Sequence, residues 1–238
     1  MDACYPPCCA VCRRFCDVGG PLCAQCADLL HELSAEPACP LCGKPLAQTG
    51  SPCPWCRGKG LYPYKCIARL GKFEDPLREM VHHLKYHRRW PLGEVMADWL
   101  LQQQSVRDLL SRSQRLLAVP LHFRREFLRG YNQAEVVARR LASRCGIKLV
   151  RPMKRIRDTA TQTQLRSQKV RHENVRGAFA LANAKSLYGR HVVIVDDVMT
   201  SGATLQAVGR EVLLAEPASI SAIVLAVADP KGRDFRAI

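Results

Sequence analysis

The sequence predicts an open, parallel α/β sheet with helices on both faces, preceded by a small cysteine-rich module. Two observations predict it. Twelve of the 13 cysteines lie before residue 67 and only Cys145 lies beyond, so the chain divides into a short cysteine-dense segment and a long ordinary one. In the long segment, two β-branched apolar runs, His191–Val195 and Ile220–Ala228, flank a helical stretch, Gly202–Leu214. Strand, helix, strand with short links is the right-handed parallel unit. The division is placed at residues 1–60 and 61–238. A chain of 238 residues, 47% hydrophobic and 24% charged, can bury a core. Its apolar runs are too short to span a bilayer. The opening MDACYPPCCAVC shows no basic segment followed by an apolar stretch, so a cytoplasmic protein is expected.

The module comes first. Its pairs are Cys9/Cys12, Cys23/Cys26, Cys39/Cys42 and Cys53/Cys56, each with two residues between them. Every position in the second half falls 30 residues after its counterpart in the first, which is an internal duplication. Two thiolates on one tight turn grip a tetrahedral ion, and a second turn completes the four ligands. Pro40, Gly43 and Pro54 suit such turns. Two structural zinc ions are expected, because four cysteines leave no open position for water or substrate. A redox-active pair and iron–sulfur ligation are the alternatives. Sequential pairing follows from the duplication, with a cross-braced arrangement as the alternative. Cys4, Cys8, Cys16 and Cys66 are left as packing residues or spare thiols.

Beyond Leu61 the periodicities change. Pro76–Gln104 reads as helical with an interruption at Pro91, and Arg115–Leu121 reads as a buried strand ending at Pro120. Asn132–Arg144 reads as an amphipathic helix stopped by Gly146, with Arg139, Arg140 and Arg144 on its polar side. The charge is lopsided as well. The net charge is +15, yet residues 1–60 balance at five basic and five acidic, and His122–Arg176 alone holds 15 basic residues against four acidic. An anionic partner is expected there, with a merely solvated basic face as the other reading.

The most informative stretch is HVVIVDDVMTSGATL, residues 191–205. Asp196 and Asp197 fall where the apolar strand leaves the sheet. Val198 and Met199 then lead into a turn, Thr200-Ser201-Gly202-Ala203-Thr204, at a helix N-terminus. Hydroxyls, backbone N–H groups and a glycine at that position make a phosphate cradle. The acids beside it suit the vicinal hydroxyls of a ribose. Phosphate at one end and diol at the other describe a ribose 5-phosphate.

These residues resemble the phosphoribosyl-pyrophosphate signature of type I phosphoribosyltransferases. Together with the four cysteine pairs the chain resembles the ComF family, GntX-like proteins included. Leu84-Lys85-Tyr86, Val119-Pro120-Leu121 through Arg129-Gly130-Tyr131-Asn132-Gln133, and Thr161-Gln162 through Phe179 agree with the family pattern, so the resemblance spans nearly the whole chain. It implies a type I phosphoribosyltransferase-like sheet behind a double zinc ribbon. It further implies that Asp196 and Asp197 hold the ribose hydroxyls and that Thr200–Thr204 wrap the 5′-phosphate. Arg125 and Arg129 then meet the pyrophosphate, Arg157–Arg171 forms the mobile flap, and Mg²⁺ accompanies the sugar pyrophosphate.

Two functions are compatible with these residues. In the first, a nitrogenous acceptor displaces pyrophosphate from the sugar. In the second, the sugar pyrophosphate is bound without turnover by a DNA-handling protein of the competence type, which takes up transforming DNA and whose basic face contacts single-stranded DNA. Aromatic residues make up only 6% of the chain, and Tyr86, Trp90, Phe123, Phe127 and Tyr131 are read as packing residues. The acceptor and the oligomeric state leave no mark in the sequence.

Overall fold

The structure, a computed structural model, describes residues 8–16, 20–159 and 168–228. It opens with two knuckles of the same design. Cys8 bridges Phe15 and Ala38 bridges Pro45, both antiparallel and each one repeat apart in sequence. The N–H of Cys9 donates to the Arg14 carbonyl and that of Cys39 to the Lys44 carbonyl, both at 2.8 Å. Each turn needs one left-handed residue, supplied by Arg13 (φ 61°) and by Gly43 (φ 70°). Between the knuckles runs a helix that the cysteine spacing did not announce, α1 (Ala24–Ala35), which buries Leu30 and Leu33.

Next comes β1 (Ile67–Lys72), followed by α2 (Leu77–Tyr86), α3 (Pro91–Gln102), α4 (Gln104–Ser111), β2 (Arg115–Ala118), α5 (Phe123–Arg129), α6 (Gln133–Cys145) and β3 (Lys148–Leu149). The chain continues through β4 (Met153–Arg155), α7 (Gln168–Val175), β5 (Phe179–Leu181), β6 (His191–Met199), α8 (Ala203–Leu213) and β7 (Ser219–Val227). The main sheet has the order β1-β7-β6-β2-β3 and every pair in it is parallel. The strands β4 and β5 form a separate antiparallel pair.

Alternation along the central strand builds both cores. Val193 and Val195 of β6 face one side with Leu30 of α1, Leu84 of α2, Met96 of α3 and Leu141 of α6. Val192 and Ile194 face the other side with Leu205 and Val208 of α8, Val175 of α7 and Phe179 of β5. Each such side chain stabilises the fold by about 1.5–3 kcal/mol when fully buried. The helix read at Asn132–Arg144 is α6. Asn132 caps it by accepting from the Ala134 N–H at 3.1 Å, and Gly146 ends it in the left-handed region (φ 67°).

Three expectations are amended. The strand read as His191–Val195 continues to Met199, so the acid pair lies within β6 rather than beyond it. Pro91, read as an interruption, opens α3 at its first turn, where a missing N–H costs nothing. The edge strand β1 was not expected. It pairs with β7 from Ile67↔Ala222 to Lys72↔Val227, and its sequence, IARLGK, carries two cations and a glycine that hide the strand pattern. Cys4, Thr161 and Gln162 fall outside the described residues, as does the 160–167 portion of the flap region.

Candidate functional site

Unequal strand lengths make the site. β2 pairs with β6 only from Arg115↔Val192 to Ala118↔Val195, whereas β7 continues beside β6 as far as Met199↔Val227. From Asp196 onward, β6 therefore has a neighbour on one side only, and the acid pair occupies the open side. Asp196 is 9% exposed, far more buried than a strand end at the rim would be. Its Oδ1 accepts from the Asp197 N–H at 2.9 Å, and Asp197 Oδ1 accepts from the Val198 N–H at 2.5 Å. Burial, reinforced by the charge of Asp197, raises the Asp196 carboxyl to about 7.

Two cations from elsewhere in the chain answer this charge. Lys85, near the end of α2, places its Nζ 2.9 Å from Asp197 Oδ2. Arg155, at the end of β4, is buried enough to have its pKa lowered, and both acids pull the other way. Its Nη2 donates to Thr159 Oγ1 at 2.5 Å, while its Nε has no partner among the described residues. His122 pairs with Arg155 as an isolated parallel bridge. Its buried Nδ1 also has no hydrogen-bond partner there and lies 3.9 Å from Asp158 Oδ1. Neither Lys85 nor Arg155 was assigned a role from the sequence. Lys85 lies in a segment that matched the family pattern, but β4 gave no local signal at all.

After Met199 and the buried Thr200, the chain turns at Gly202 into α8. Gly202 has φ 79°, and a Cβ there would come within 2.8 Å of the Leu61 side chain, so glycine is favoured at this turn by both backbone and space. Ser201 Oγ accepts from the Ala203 N–H at 3.4 Å, and Thr204 stands in the first turn of α8. Residues 196–204 run without a break from the end of β6 into the first turn of α8. The two predicted arginines do not share a target. Arg125 donates to the Thr159 carbonyl and lies 3.5 Å from Asp158 Oδ1. Arg129 donates to Gln133 Oε1 at 2.9 Å and sits 5.3 Å from the centre of the Tyr86 ring.

In the module, Cys9, Cys12, Cys23 and Cys26 bring their sulfurs within 4.8 Å of one another, and so do Cys39, Cys42, Cys53 and Cys56. The pairing is sequential. A tetrahedral zinc with bonds of about 2.3 Å spaces its sulfurs about 3.8 Å apart. Cys39–Cys56 and Cys42–Cys53 both stand at 3.7 Å, and Cys12–Cys23 at 3.5 Å. Burial opposes ionisation at Cys9, but N–H groups of Cys12, Cys23 and Val11 overcome it and bring that thiol down to about 6. Burial and crowding by the other thiols push Cys26 and Cys42 up. The donor set fits zinc.

Two further expectations change. Arg140 holds Asp98 of α3 through two bonds, at 2.9 and 2.7 Å, with Arg144 3.6 Å from the same carboxylate. Arg139 pairs with Glu135 at 2.8 Å. Arg140 and Arg144 tie α6 to α3, the Arg139–Glu135 pair lies within α6 itself, and all three cations already face acids. The aromatic residues, in contrast, are outside. α5 buries none of its residues, and Phe127 is 85% and Phe123 70% exposed. Tyr86 and Trp90 are exposed too, while Tyr131 is half-buried and donates to the Leu84 carbonyl. No helix among the described residues is long and apolar enough to cross a membrane.

Comparison with known proteins agrees with both halves. Residues 129–237 match the phosphoribosyl transferase domain family, and residues 1–57 match the double zinc ribbon domain family. The DNA utilization protein YhgH of Salmonella typhimurium is 33% identical over 196 residues, covering 81% of this chain and 84% of that protein. Its counterpart in Escherichia coli K12 is 30% identical over 213 residues, covering 87% and 91%. Competence protein F of Haemophilus influenzae is 30% identical over 192 residues, covering 78% and 82%.

Proposed function

The chain belongs to the family of the DNA utilization protein YhgH and Competence protein F, and from that premise we propose that it binds phosphoribosyl pyrophosphate with Mg²⁺ and transfers the phosphoribosyl group to a nitrogenous acceptor in the cytoplasm. The observation that carries this reading is the acid pair on the open side of β6, Asp196 buried and Asp197 half-buried, followed without a break by the glycine turn into α8. In this reading the Asp196 and Asp197 oxygens accept from the ribose hydroxyls, and the Thr200–Thr204 turn surrounds the 5′-phosphate at the positive end of α8. An all-oxygen donor set at the acid pair suits Mg²⁺, which when bound neutralises the departing pyrophosphate.

The remaining work is positioning. Lys85 holds Asp197, and the buried guanidinium of Arg155 supplies positive charge where negative charge collects. Arg125 and His122 stand beside Arg155 as further donors toward the leaving group, and Arg129 braces the junction of α2, α5 and α6. A cavity of about 510 Å³, lined by Leu121, Phe123, Asn132, Arg151, Arg155 and Ile156, shares Arg155 with the site and is large enough for a heterocyclic acceptor. Calorimetry with phosphoribosyl pyrophosphate and Mg²⁺, followed by a screen of bases for pyrophosphate release, tests the proposal. Binding with acceptor-dependent release supports it. Binding without release for any acceptor replaces transfer with a binding role.

One observation favours a second reading, in which the chain also handles single-stranded DNA. The exposed rings of Tyr86, Trp90, Phe123 and Phe127 are interleaved with Arg88, Arg89, Arg124 and Arg129 over the end of α2, the connection into α3, and α5. Arg88 Nη2 donates to the Leu128 carbonyl at 3.5 Å and links the connection between α2 and α3 to α5. Rings for stacking among arginines for phosphate are what a single strand requires. Phe123→Ala with Phe127→Ala is expected to weaken oligonucleotide binding by roughly 1–3 kcal/mol per lost stack, with a steep salt dependence. Salt-insensitive or absent binding removes this reading.

A further inference from the structure

Residues 60–67, which join the cysteine module to β1, touch the glycine turn of α8 on one side and the second knuckle on the other. The Leu61 side chain lies against Gly202, where a Cβ would come within 2.8 Å of it. Pro63 and Tyr64 lie against Gly209, where a Cβ would come within 2.7 Å of Pro63 Cδ and 3.1 Å of the Tyr64 ring. Glycine weakens a helix interior, so Gly209 marks a place where close approach outweighs helix propensity. Tyr64 is 6% exposed, and its hydroxyl donates to the Leu205 carbonyl at 2.6 Å, in the first turn of α8. The Tyr64 N–H donates to the Leu61 carbonyl at 2.8 Å, which ties the two contacts together.

The second knuckle holds both ends of the same segment. Gly60 backs onto Leu41, whose carbonyl oxygen would lie 3.3 Å from a Cβ at position 60. At the other end the Ile67 N–H donates to the Pro40 carbonyl at 2.9 Å. Pro40 and Leu41 are the two residues between Cys39 and Cys42. From β7, the Ile220 carbonyl accepts from the Lys65 N–H at 2.8 Å and completes the hold. A phosphate turn is effective when its donors already point at the ligand, and a left-handed glycine supplies little restraint of its own. We propose that Leu61 and Tyr64 are positioning residues that fix the Gly202 turn and the first turn of α8 for the 5′-phosphate, and that the second knuckle anchors the segment carrying them. This rests on the reading of Thr200–Thr204 as the 5′-phosphate turn.

Calorimetry with ribose 5-phosphate on the zinc-loaded full chain tests it. Leu61→Ala is expected to weaken binding roughly tenfold and Tyr64→Phe roughly threefold. Leu61→Met keeps the bulk against Gly202 and should bind within about twofold of the parent. The phosphorus NMR resonance of the bound sugar phosphate should move in Leu61→Ala and return in Leu61→Met, which a role in overall stability would not produce. In ligand-free protein the Gln206 N–H, which donates to the Gly202 carbonyl at 2.9 Å, should exchange faster in Leu61→Ala and Tyr64→Phe while the Ile194 amide is unchanged. Cys39→Ser should weaken ribose 5-phosphate binding roughly threefold. If that chain does not fold, Gly60→Ala, which leaves all eight cysteine ligands in place, is expected to do the same. A parent that binds ribose 5-phosphate no better than Leu61→Ala and Tyr64→Phe overturns the positioning role, and undiminished binding by the knuckle variant overturns the anchoring. A parent that binds neither ribose 5-phosphate nor phosphoribosyl pyrophosphate instead overturns the sugar reading itself, and the phosphate role of the segment with it.

Discussion

The cysteine module and the acid pair of β6 both crowd groups that want to carry negative charge, and they resolve the crowding in opposite ways. Around each set of four thiols, the groups that lower a thiol are backbone N–H donors and neighbouring thiols. Cys9 falls to about 6 and Cys53 to about 7 through backbone donors that outweigh burial, while Cys26 and Cys42 are driven up. The cluster can ionise fully only around an ion. At β6, Lys85 and Arg155 bring their own positive charge, and Asp196 can also take up a proton. The first arrangement makes folding depend on metal. The second lets the acid pair stand within the fold without an added ion.

The largest expected effect removes the ion from the module. Structural zinc contributes on the order of 10 kcal/mol or more to a fold of this size. A strong chelator is expected to unfold the 8–60 region while the sheet keeps its helical and strand signal by circular dichroism. Purified protein should hold two zinc ions per chain by elemental analysis, and Cys39→Ser should hold one. A metal-free chain whose amino-terminal amides stay protected from exchange would break the comparison at its root.

Next in size is the protonation of Asp196. Its folded pKa, raised to about 7 from an ordinary 3.8, means that the folded state holds a proton the unfolded chain has released. That contribution to stability is complete below about pH 4 and is lost as pH rises through 7. The loss amounts to about 4 kcal/mol at most. In zinc-loaded, Mg²⁺-free protein Asp196→Asn should abolish it, so the variant should melt higher than the parent at pH 8 and no higher at pH 4. Equal melting-temperature differences at both pH values would mean that Asp196 is ionised throughout. The Asn pair at 196 and 197 should meanwhile bind phosphoribosyl pyrophosphate at least roughly tenfold more weakly, about 1.4 kcal/mol.

A smaller effect tests the built-in cation. Lys85→Met removes the charge 2.9 Å from Asp197 while keeping a chain of similar bulk. Removing that charge should move the stability loss to higher pH and weaken sugar pyrophosphate binding several-fold, about 1 kcal/mol for a half-buried pair. Unchanged binding and an unchanged pH profile would reduce Lys85 to a surface contact.

What could be read in the sequence tracks how local each device is. The ligand spacing of the module and the Asp196–Thr204 run are contiguous, so their chemistry is written in order along the chain. The strands β6 and β7 announce themselves because both faces are covered and the apolar residues run unbroken. β1 is an edge strand whose Arg69, Gly71 and Lys72 break the apolar run, and it leaves no such trace. Lys85 and Arg155 reach the acids only through tertiary packing, from 112 and 41 residues away along the chain. The ion pairs of α6 were hidden for the same reason: Asp98, which meets Arg140 and Arg144, lies on α3, 42 residues upstream of Arg140.

The smallest expected effect compares the two knuckles with each other. Arg13 and Gly43 occupy equivalent places and both are left-handed, at φ 61° and 70°. A residue with a Cβ pays about 1–2 kcal/mol for that conformation, and glycine avoids it at an entropic cost of about 0.5–1 kcal/mol. Arg13→Gly should therefore be nearly neutral, within about 1 kcal/mol. Gly43→Ala meets the same backbone penalty without relief, and its new Cβ would lie 3.0 Å from Ile67 Cγ2 of β1. It should destabilise the zinc-loaded protein by roughly 1–2 kcal/mol, read as a lower melting temperature and faster zinc loss to a weak chelator. The asymmetry has a physical origin, since the second knuckle packs against the sheet and Ile67 leaves no room there. If Arg13→Gly proved as costly as Gly43→Ala, the left-handed turn would not be the shared device of the duplication, and the equivalence of the two knuckles would fail.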